Sequence, residues 1–279
     1  MCGTLVRMAD TDGNPIADVD FDWLEQVLRA AGAIAMRHFR QTTATRKADN
    51  TVVTVADHQV EAFLRDALGR TFPADGLLGE EMATQCGQSG RVWAIDPIDG
   101  TATYAIGLPV WGVSVGLLKD WQALAGAFYM PLLDEYYFSD GRGAFFNGQP
   151  IHVDASEHID EESFLVVTSE AHRSYRIEFD GKTRTFGSAA AHICYVARGT
   201  AVGAVLGQLS LWDMAGALPV LRAAGGQLAY LSAPDQALDL AGLADGSKTS
   251  EPLLAGAPWA LHYFAPRITH LKREHEHAG

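Results

Sequence analysis

The sequence predicts a mixed α/β or α+β layered architecture, and three observations predict it. Apolar stretches of helical period alternate along the chain with short apolar or β-branched runs, so helical and sheet layers must stack on one another. The middle of the chain carries successive hairpin signals, which imply antiparallel pairing. The chain has 279 residues, 48% of them hydrophobic and 20% charged, an ordinary globular composition with ample material for a core.

Asp22-x-x-Glu25 has the form of a capping box, and Phe21, Leu24, Leu28, Ala31, Ala35 and His38 then recur at helical spacing to about Phe39. His38 on that face reads as a packed histidine. Gln41 to Asn50 is a polar loop containing Lys47. Thr51 to Val55 is a short β-branched run. Val60, Phe63, Leu64, Ala67 and Leu68 form a second amphipathic helix, stopped at Phe72-Pro73, with Asp57 in its first turn where a carboxylate suits the helix dipole. Leu77-Leu78 leads into Gly79-Glu80-Glu81, and Val92 to Ile95 reads as a buried strand. Strands follow at Trp111 to Leu118, Ala123 to Met130 and Tyr136 to Phe138, and Asn147-Gly148 marks a hairpin turn. Ser163 to Thr168 is another strand and Arg173 to Lys182 a charged connection. Gly187-Ser188-Ala189-Ala190 opens a helix of small residues to about Ala197. Ala201 to Leu206 is a strand, Asp213 starts a helix through Leu221, and a closing helix begins at Pro258. The expected organisation is a flexible N-terminus over 1–20 and one domain over 21–270, with halves meeting near 150 and 151. A solvated tail over 271–279 contains His275 and His277.

The net charge of −13 argues against a nucleic-acid surface, which would be basic. It does not exclude phosphate, because bound cations invert the local field. No apolar stretch is long enough to span a membrane, and Met1 to Asp20 lacks the pattern of a secretory signal; Met8 is a second candidate start. Cys2, Cys86 and Cys194 are widely spaced, which fits a reducing cytoplasm and offers no zinc or disulfide framework.

Chemistry concentrates at Asp96-Pro97-Ile98-Asp99-Gly100-Thr101. Pro97 fixes φ between two aspartates at a strand end, and Gly100 permits a tight backbone. Carboxylates on a stiff turn suit Mg²⁺, which takes oxygen ligands at about 2.1 Å in octahedral geometry. The amides of Gly100, Thr101 and Ala102 would open a short helix toward an anion. The bland alternative is an Asp-Pro turn that ends a strand.

This string resembles a signature of the inositol monophosphatase family of magnesium-dependent, lithium-sensitive phosphatases. Leu211-Trp212-Asp213-Met214-Ala215-Gly216 resembles the family's other signature, and Gly79-Glu80-Glu81 lies upstream at about the family's spacing. The resemblance runs from about Phe21 to Phe264. It implies a five-layer αβαβα sandwich, a homodimer, and two or three Mg²⁺ per site, with Mn²⁺ as a substitute and Li⁺ as an inhibitor. It assigns one metal to Glu80, Asp96 and the Ile98 carbonyl, and another to Asp96, Asp99 and Asp213. Asp57 and Thr101 would orient the attacking water. Lys47, Gly100 and Thr101 would meet phosphate, and Ser188 and Ala189 would lie where the family receives substrate hydroxyls. The implied reaction is hydrolysis of a small phosphorylated alcohol by metal-activated water. Histidinol phosphate and fructose bisphosphate are alternatives to inositol phosphate, and a non-catalytic dimeric regulator is the competing class. A complete set of metal and water-orienting positions favours the enzyme. Inositol-preferring relatives carry a glutamate seven residues before the motif aspartate. Here that position is Leu206, and a neighbouring acidic position is Val202, so a strict inositol-1-phosphatase is not expected.

Overall fold

A computed structural model describes residues 14–41, 44–47 and 51–271. The sequence predictions for the first thirteen residues and for the tail beyond 271 fall outside these residues. Residues 14–20, expected to fray, are instead anchored. Arg91 donates to the Pro15 carbonyl at 3.0 Å and to both carboxylate oxygens of Asp18 at 2.5 and 2.8 Å, and Val19 is buried.

Helix α1 (Phe21–His38) is capped by Asp20, whose carboxylate accepts from the Asp22 and Trp23 amides. Asp22 is therefore already inside the helix, whose cap lies two residues earlier than the capping-box pattern suggested. Strands β1 (Thr45–Arg46) and β2 (Val52–Val53) form a small antiparallel pair carrying Lys47 in its connection. Helix α2 (Val55–Thr71) is capped by Thr54, and Asp57 sits at its third position, where its carboxylate accepts from the Thr54 amide.

A seven-stranded sheet follows, in the order β3 (Gly76–Gly79), β4 (Arg91–Asp99), β5 (Gly112–Lys119), β6 (Gln122–Met130), β7 (Glu135–Ser139), β8 (Ala144–Phe146) and β9 (Gln149–Pro150), with α3 (Thr101–Ala105) inserted after β4. β3 and β4 are parallel and every later neighbour is antiparallel, as the hairpin signals predicted. The second sheet starts at β10 (Phe164–Val167). After α4 (Ala171–Ser174) and β11 (Tyr175–Ile177) come β12 (Lys182–Arg184), α5 (Ala189–Ala197), β13 (Gly203–Leu206), α6 (Leu211–Ala215), α7 (Ala217–Ala223), β14 (Gln227–Tyr230), β15 (Leu253–Gly256), α8 (Pro258–Phe264) and β16 (Ile268–His270). Its five strands run β12-β10-β13-β15-β14, and β11 pairs with β16 apart from it.

Burial makes five layers of these elements. Leu24, Leu28, Ala31 and Ala35 of α1 and Val60, Leu64 and Leu68 of α2 pack on Trp93, Ile95, Val113, Val115 and Leu117 of the large sheet. The opposite face meets α5, α6 and α7, whose Ile193, Met214, Leu218 and Leu221 also reach Val166, Ala204 and Leu206 of the second sheet. α8 closes the outer face of that sheet with Ala260, Leu261 and Phe264. The result is the αβαβα sandwich, an α+β stack in which each sheet buries both faces.

Cys194 is a free and buried thiol, and Cys2 lies outside the described residues. No helix among the described residues is long and apolar enough to cross a membrane.

Candidate active site

The site grows from the end of β4. Its register against β5 slips between Asp96, opposite Ser114, and Asp99, opposite Gly112. Three steps on β4 meet two on β5, which is a β-bulge, and a bulge re-aims the side chains that follow it. Pro97 within it has no amide to leave unpaired. Gly100 then turns at φ 91°, and a Cβ there would lie 3.1 Å from the Gly187 carbonyl. Glycine is required both by that left-handed backbone and by the close approach of the neighbouring loop.

Parallel pairing of β3 with β4 sets Gly79 opposite Ile95, and the Glu80 amide donates to the Ile95 carbonyl at 3.3 Å. Glu80 therefore leaves the sheet beside Asp96. Asp213 arrives from the middle helical layer, at the third position of α6, where its carboxylate accepts from the Ser210 amide at 2.8 Å. Asp99 faces the start of α5. Its oxygens accept from the amides of Ala189 and Ala190 at 3.1 and 2.9 Å and from the Ser188 hydroxyl. Ser188 and Ala189 thus direct their donors to a carboxylate of the site rather than to an outside group. Thr101 Oγ1 lies 3.0 Å from Asp57 Oδ1 and 2.9 Å from the Ile98 carbonyl. Asp57 is held in turn by the amide and hydroxyl of Thr54, at 2.8 and 2.6 Å. Lys47 Nζ stands 3.0 Å from Glu80 and 2.5 Å from Glu81.

Asp57, Asp96 and Asp99 are buried, Glu80 and Asp213 half-buried, and all five hold their protons more tightly than free carboxylates. Burial, with the charges of Glu81 and Asp213, pushes Glu80 up to about 7 although Lys47 opposes it. Burial and the charges of Glu80, Asp99 and Asp213 raise Asp96 well above the usual carboxylate range. Asp99 rises only to about 6, because Ser188, Ala190 and Ala189 donate to it against the burial. Burial takes Asp213 to about 7, with the Ser210 amide, Lys248 and Lys47 opposing. Burial also raises Asp57 against the hydrogen bonds from Thr54 and Thr101. The charges sense one another, yet among the described residues no three acidic, histidine or cysteine side chains are gathered closely enough to hold a metal ion as they stand. Asp99 and Asp213 each commit oxygen to nearby donors, respectively the Ser188 hydroxyl with the Ala189 and Ala190 amides, and the Ser210 amide.

A cavity of about 300 Å³ opens beside Asp99 and Asp213, walled by Ser188, Ala189, His192, Leu206, Gln208 and Lys248. Burial lowers His192 to about 4, so it is neutral, and its Nε2 accepts from the Phe186 amide at 3.1 Å. Gln208 directs its amide nitrogen to the carbonyls of Thr249 and Ser250 at 3.0 and 2.9 Å, leaving its oxygen toward other partners. A larger cavity of about 480 Å³ lies between the β1–β2 pair, α3 and the loop before α5, but it holds none of the acidic residues. The chemistry belongs to the smaller one. Lys248 carried no sequence signal, since it reaches the cavity from an irregular loop after β14. Glu61 has one signal in the sequence, a glutamate on the buried stripe of α2.

Buried carboxylates at the end of a bulged strand, facing a polar cavity in a layered α+β fold, define a site for hydrolytic chemistry on anionic substrates. The known proteins that this chain is similar to narrow the class. Residues 18–262 match the sequence profile described as the inositol monophosphatase family. A histidinol-phosphatase from Chlorobaculum parvum is 34% identical over 212 residues, 72% of this chain and 82% of that protein. A fructose-1,6-bisphosphatase/inositol-1-monophosphatase from Aquifex aeolicus is 30% identical over 219 residues, 74% of this chain and 83% of its own. The crystal structure of extragenic suppressor protein suhB from Bartonella henselae superposes with a TM-score of 0.73 at 25% identity, covering 86% of this chain and 97% of that one. The chain belongs to the inositol monophosphatase family. It is a phosphoric monoester hydrolase of that superfamily, acting on small phosphorylated substrates.

Proposed function

We propose that the chain is a Mg²⁺-dependent phosphomonoesterase in which Glu80, Asp96, the Ile98 carbonyl, Asp99 and Asp213 are the cation ligands. One observation carries the reading: the ends of β3 and β4 and the start of α6 bring four buried or half-buried carboxylates near enough that, beyond burial, their charges raise one another's proton affinity. An all-oxygen, net-negative donor set fits a hard divalent ion rather than a soft one. Two or three Mg²⁺ are expected, with Mn²⁺ able to substitute and Li⁺ inhibitory. When bound, such ions lower the pKa of water and stabilise the leaving oxygen.

The remaining roles fall to the chain itself. Asp57 fixes the Thr101 hydroxyl, and a hydroxyl so held keeps lone pairs with which to orient the attacking water. Lys47 is placed to turn from Glu80 and Glu81 to the substrate phosphate, which the Gly100 and Thr101 amides also receive. Ser188 and Ala189 act on the substrate side through Asp99, since they wall the same cavity. The alcohol portion lies against Leu206, which is 2% exposed and accepts no hydrogen bond. Burying a sugar hydroxyl there without a partner costs about 1–3 kcal/mol. A substrate that is less uniformly hydroxylated than inositol is favoured, and the histidinol-phosphatase names among the relatives agree with this. Homodimeric assembly and a cytoplasmic location complete the proposal.

The test is phosphate release from histidinol phosphate, fructose 1,6-bisphosphate and inositol 1-phosphate, with and without Mg²⁺. Release is expected only with the cation, and Asp96→Asn and Asp213→Asn are expected to reduce it to near background. Near-normal turnover by purified Asp96→Asn sinks the ligand assignment. A preference for inositol 1-phosphate above about 100-fold, equivalent to ~2.7 kcal/mol, sinks the reading of Leu206.

A further inference from the structure

Glu61 is a carboxylate with no solvent exposure that the proposed chemistry does not use. It sits one turn after Asp57 on α2, facing the turn that leaves β3. Its Oε2 accepts from the Glu81 amide at 2.7 Å and its Oε1 from the Met82 amide at 3.1 Å. Arg65, a further turn along, donates from Nη1 to Glu61 Oε1 at 3.2 Å and from Nη2 to the Ala83 carbonyl at 2.6 Å. One carboxylate and one guanidinium hold the backbone of 81–83 by its donors and its acceptor together. Position 79 is gripped from the other side. A Cβ built on Gly79 would stand 2.0 Å from Glu61 Oε1 and 2.4 Å from its carboxyl carbon, and the three nearest atoms all belong to Glu61. Gly79 has no left-handed φ, so its backbone would accept alanine. The missing side chain is replaced in space by the carboxylate of Glu61. Glu80 is the one residue between these two holds.

We propose that Glu61 is the positioning residue for Glu80: it locks the turn from Gly79 to Met82 and so sets where the Glu80 carboxylate points. This rests on the reading of Glu80 as a cation ligand. A carboxylate is needed because the three groups hydrogen-bonded to it, the Glu81 and Met82 amides and the Arg65 guanidinium, are all donors. An ionised carboxylate is acceptor-only, whereas glutamine would turn an NH₂ toward one of those donors. Outer groups that orient metal ligands typically change affinity by about 10–100-fold when removed.

The experiment is calorimetric titration of Mn²⁺ into the wild type, Glu61→Gln, Glu61→Ala, Gly79→Ala and the double variant Glu61→Ala/Gly79→Ala. It is run with hydrogen exchange at the Glu81 and Met82 amides and with thermal unfolding of each protein. Glu61→Gln is expected to weaken cation binding by about 10–100-fold, to speed exchange at both amides, and to recover kcat at saturating cation. Gly79→Ala should weaken binding in the wild-type background, yet add nothing to Glu61→Ala, where the colliding carboxylate is gone. Should Glu61→Gln not fold, Gly79→Ala carries the test, since it disturbs the same lock with Glu61 in place. A Glu61→Gln protein that melts lower but binds Mn²⁺ as the wild type does has a merely structural glutamate and overturns the proposal. Equal effects of Gly79→Ala with and without Glu61 overturn it too. A wild type that takes up no divalent cation is a different failure: it removes the ligand reading of Glu80, and this inference with it.

Discussion

Thr101 is the residue at which orientation and binding can be separated experimentally. Its Oγ1 is shared between Asp57 Oδ1 and the Ile98 carbonyl, so the hydroxyl has a fixed place but only one proton to give. Removing it leaves both Thr54 donors on Asp57 Oδ2 but takes the donor from the buried Oδ1, so the fold should lose about 1–3 kcal/mol, the cost of a buried acceptor left unpaired. The proposed role of the hydroxyl is realised in the transition state, where a loss depresses kcat more than it raises KM. Thr101→Ala is therefore expected to lower kcat by about 100-fold or more, the scale of a positioned proton-handling group, with KM nearly unchanged. Steady-state kinetics decide it: a variant with normal kcat and raised KM would move Thr101 from catalysis to binding.

Among the elements, the β1–β2 pair is the one tied to the site through a single side chain. Lys47 Nζ touches both Glu80 and Glu81. Burial works against its charge, yet the hydrogen bond to Glu81 and the charge of Glu80 prevail and its pKa is raised. A divalent ion bound at Glu80 competes with that ammonium. Lys47→Met should then bind Mn²⁺ more tightly in the absence of substrate, by up to about 5-fold, since a partly exposed ion pair contributes up to about 1 kcal/mol. The same change should loosen binding of a phosphate ester. A calorimetric titration showing weaker Mn²⁺ binding in Lys47→Met would mean that the lysine supports the cation rather than competing with it. This element also marks where sequence legibility ends. Asp96, Asp99 and Thr101 were readable because one strand end and one turn carry them contiguously. The bulge between them was not, because it depends on the register against β5. Asp22 misled for a local reason: Asp20, two residues earlier, takes the capping amides. Glu61 was passed over because helical periodicity ranks apolar residues, and a buried carboxylate is defined by the donors that reach it from 81 and 82. The meeting of Asp213 with Asp96 and Asp99 required the middle helical layer to dock between two sheets, and only motif resemblance foretold it.

For the whole molecule, the buried carboxylates make stability depend on pH in a way a cation should abolish. Glu80 and Asp213 are raised to about 7, Asp99 to about 6 and Asp96 further, each chiefly by burial. Unfolded, these groups titrate near 4. Between those limits the folded chain holds protons that the unfolded chain has lost, so stability is full below the unfolded values and falls as pH rises through the folded ones. His192 has the opposite sign. Burial lowers it from 6.5 to about 4, so it costs stability only as pH drops below 6.5. Above pH 6.5 its opposing contribution is less than that of half a proton and fades by about pH 7.5, so the carboxylates dominate the slope, at up to about 1.4 kcal/mol per pH unit for each proton released. The cation-free protein should therefore melt at a lower temperature at pH 8 than at pH 6.5. A bound divalent ion reverses this, because it binds the folded carboxylates in their charged form and stabilises that state by mass action. With millimolar Mg²⁺ the midpoint at pH 8 should rise to or above that at pH 6.5. Thermal unfolding at the two pH values, in chelator and in Mg²⁺, gives four midpoints. If the chelated protein is equally stable at both, these carboxylates are not the uncompensated buried charge that the proposed cation site requires.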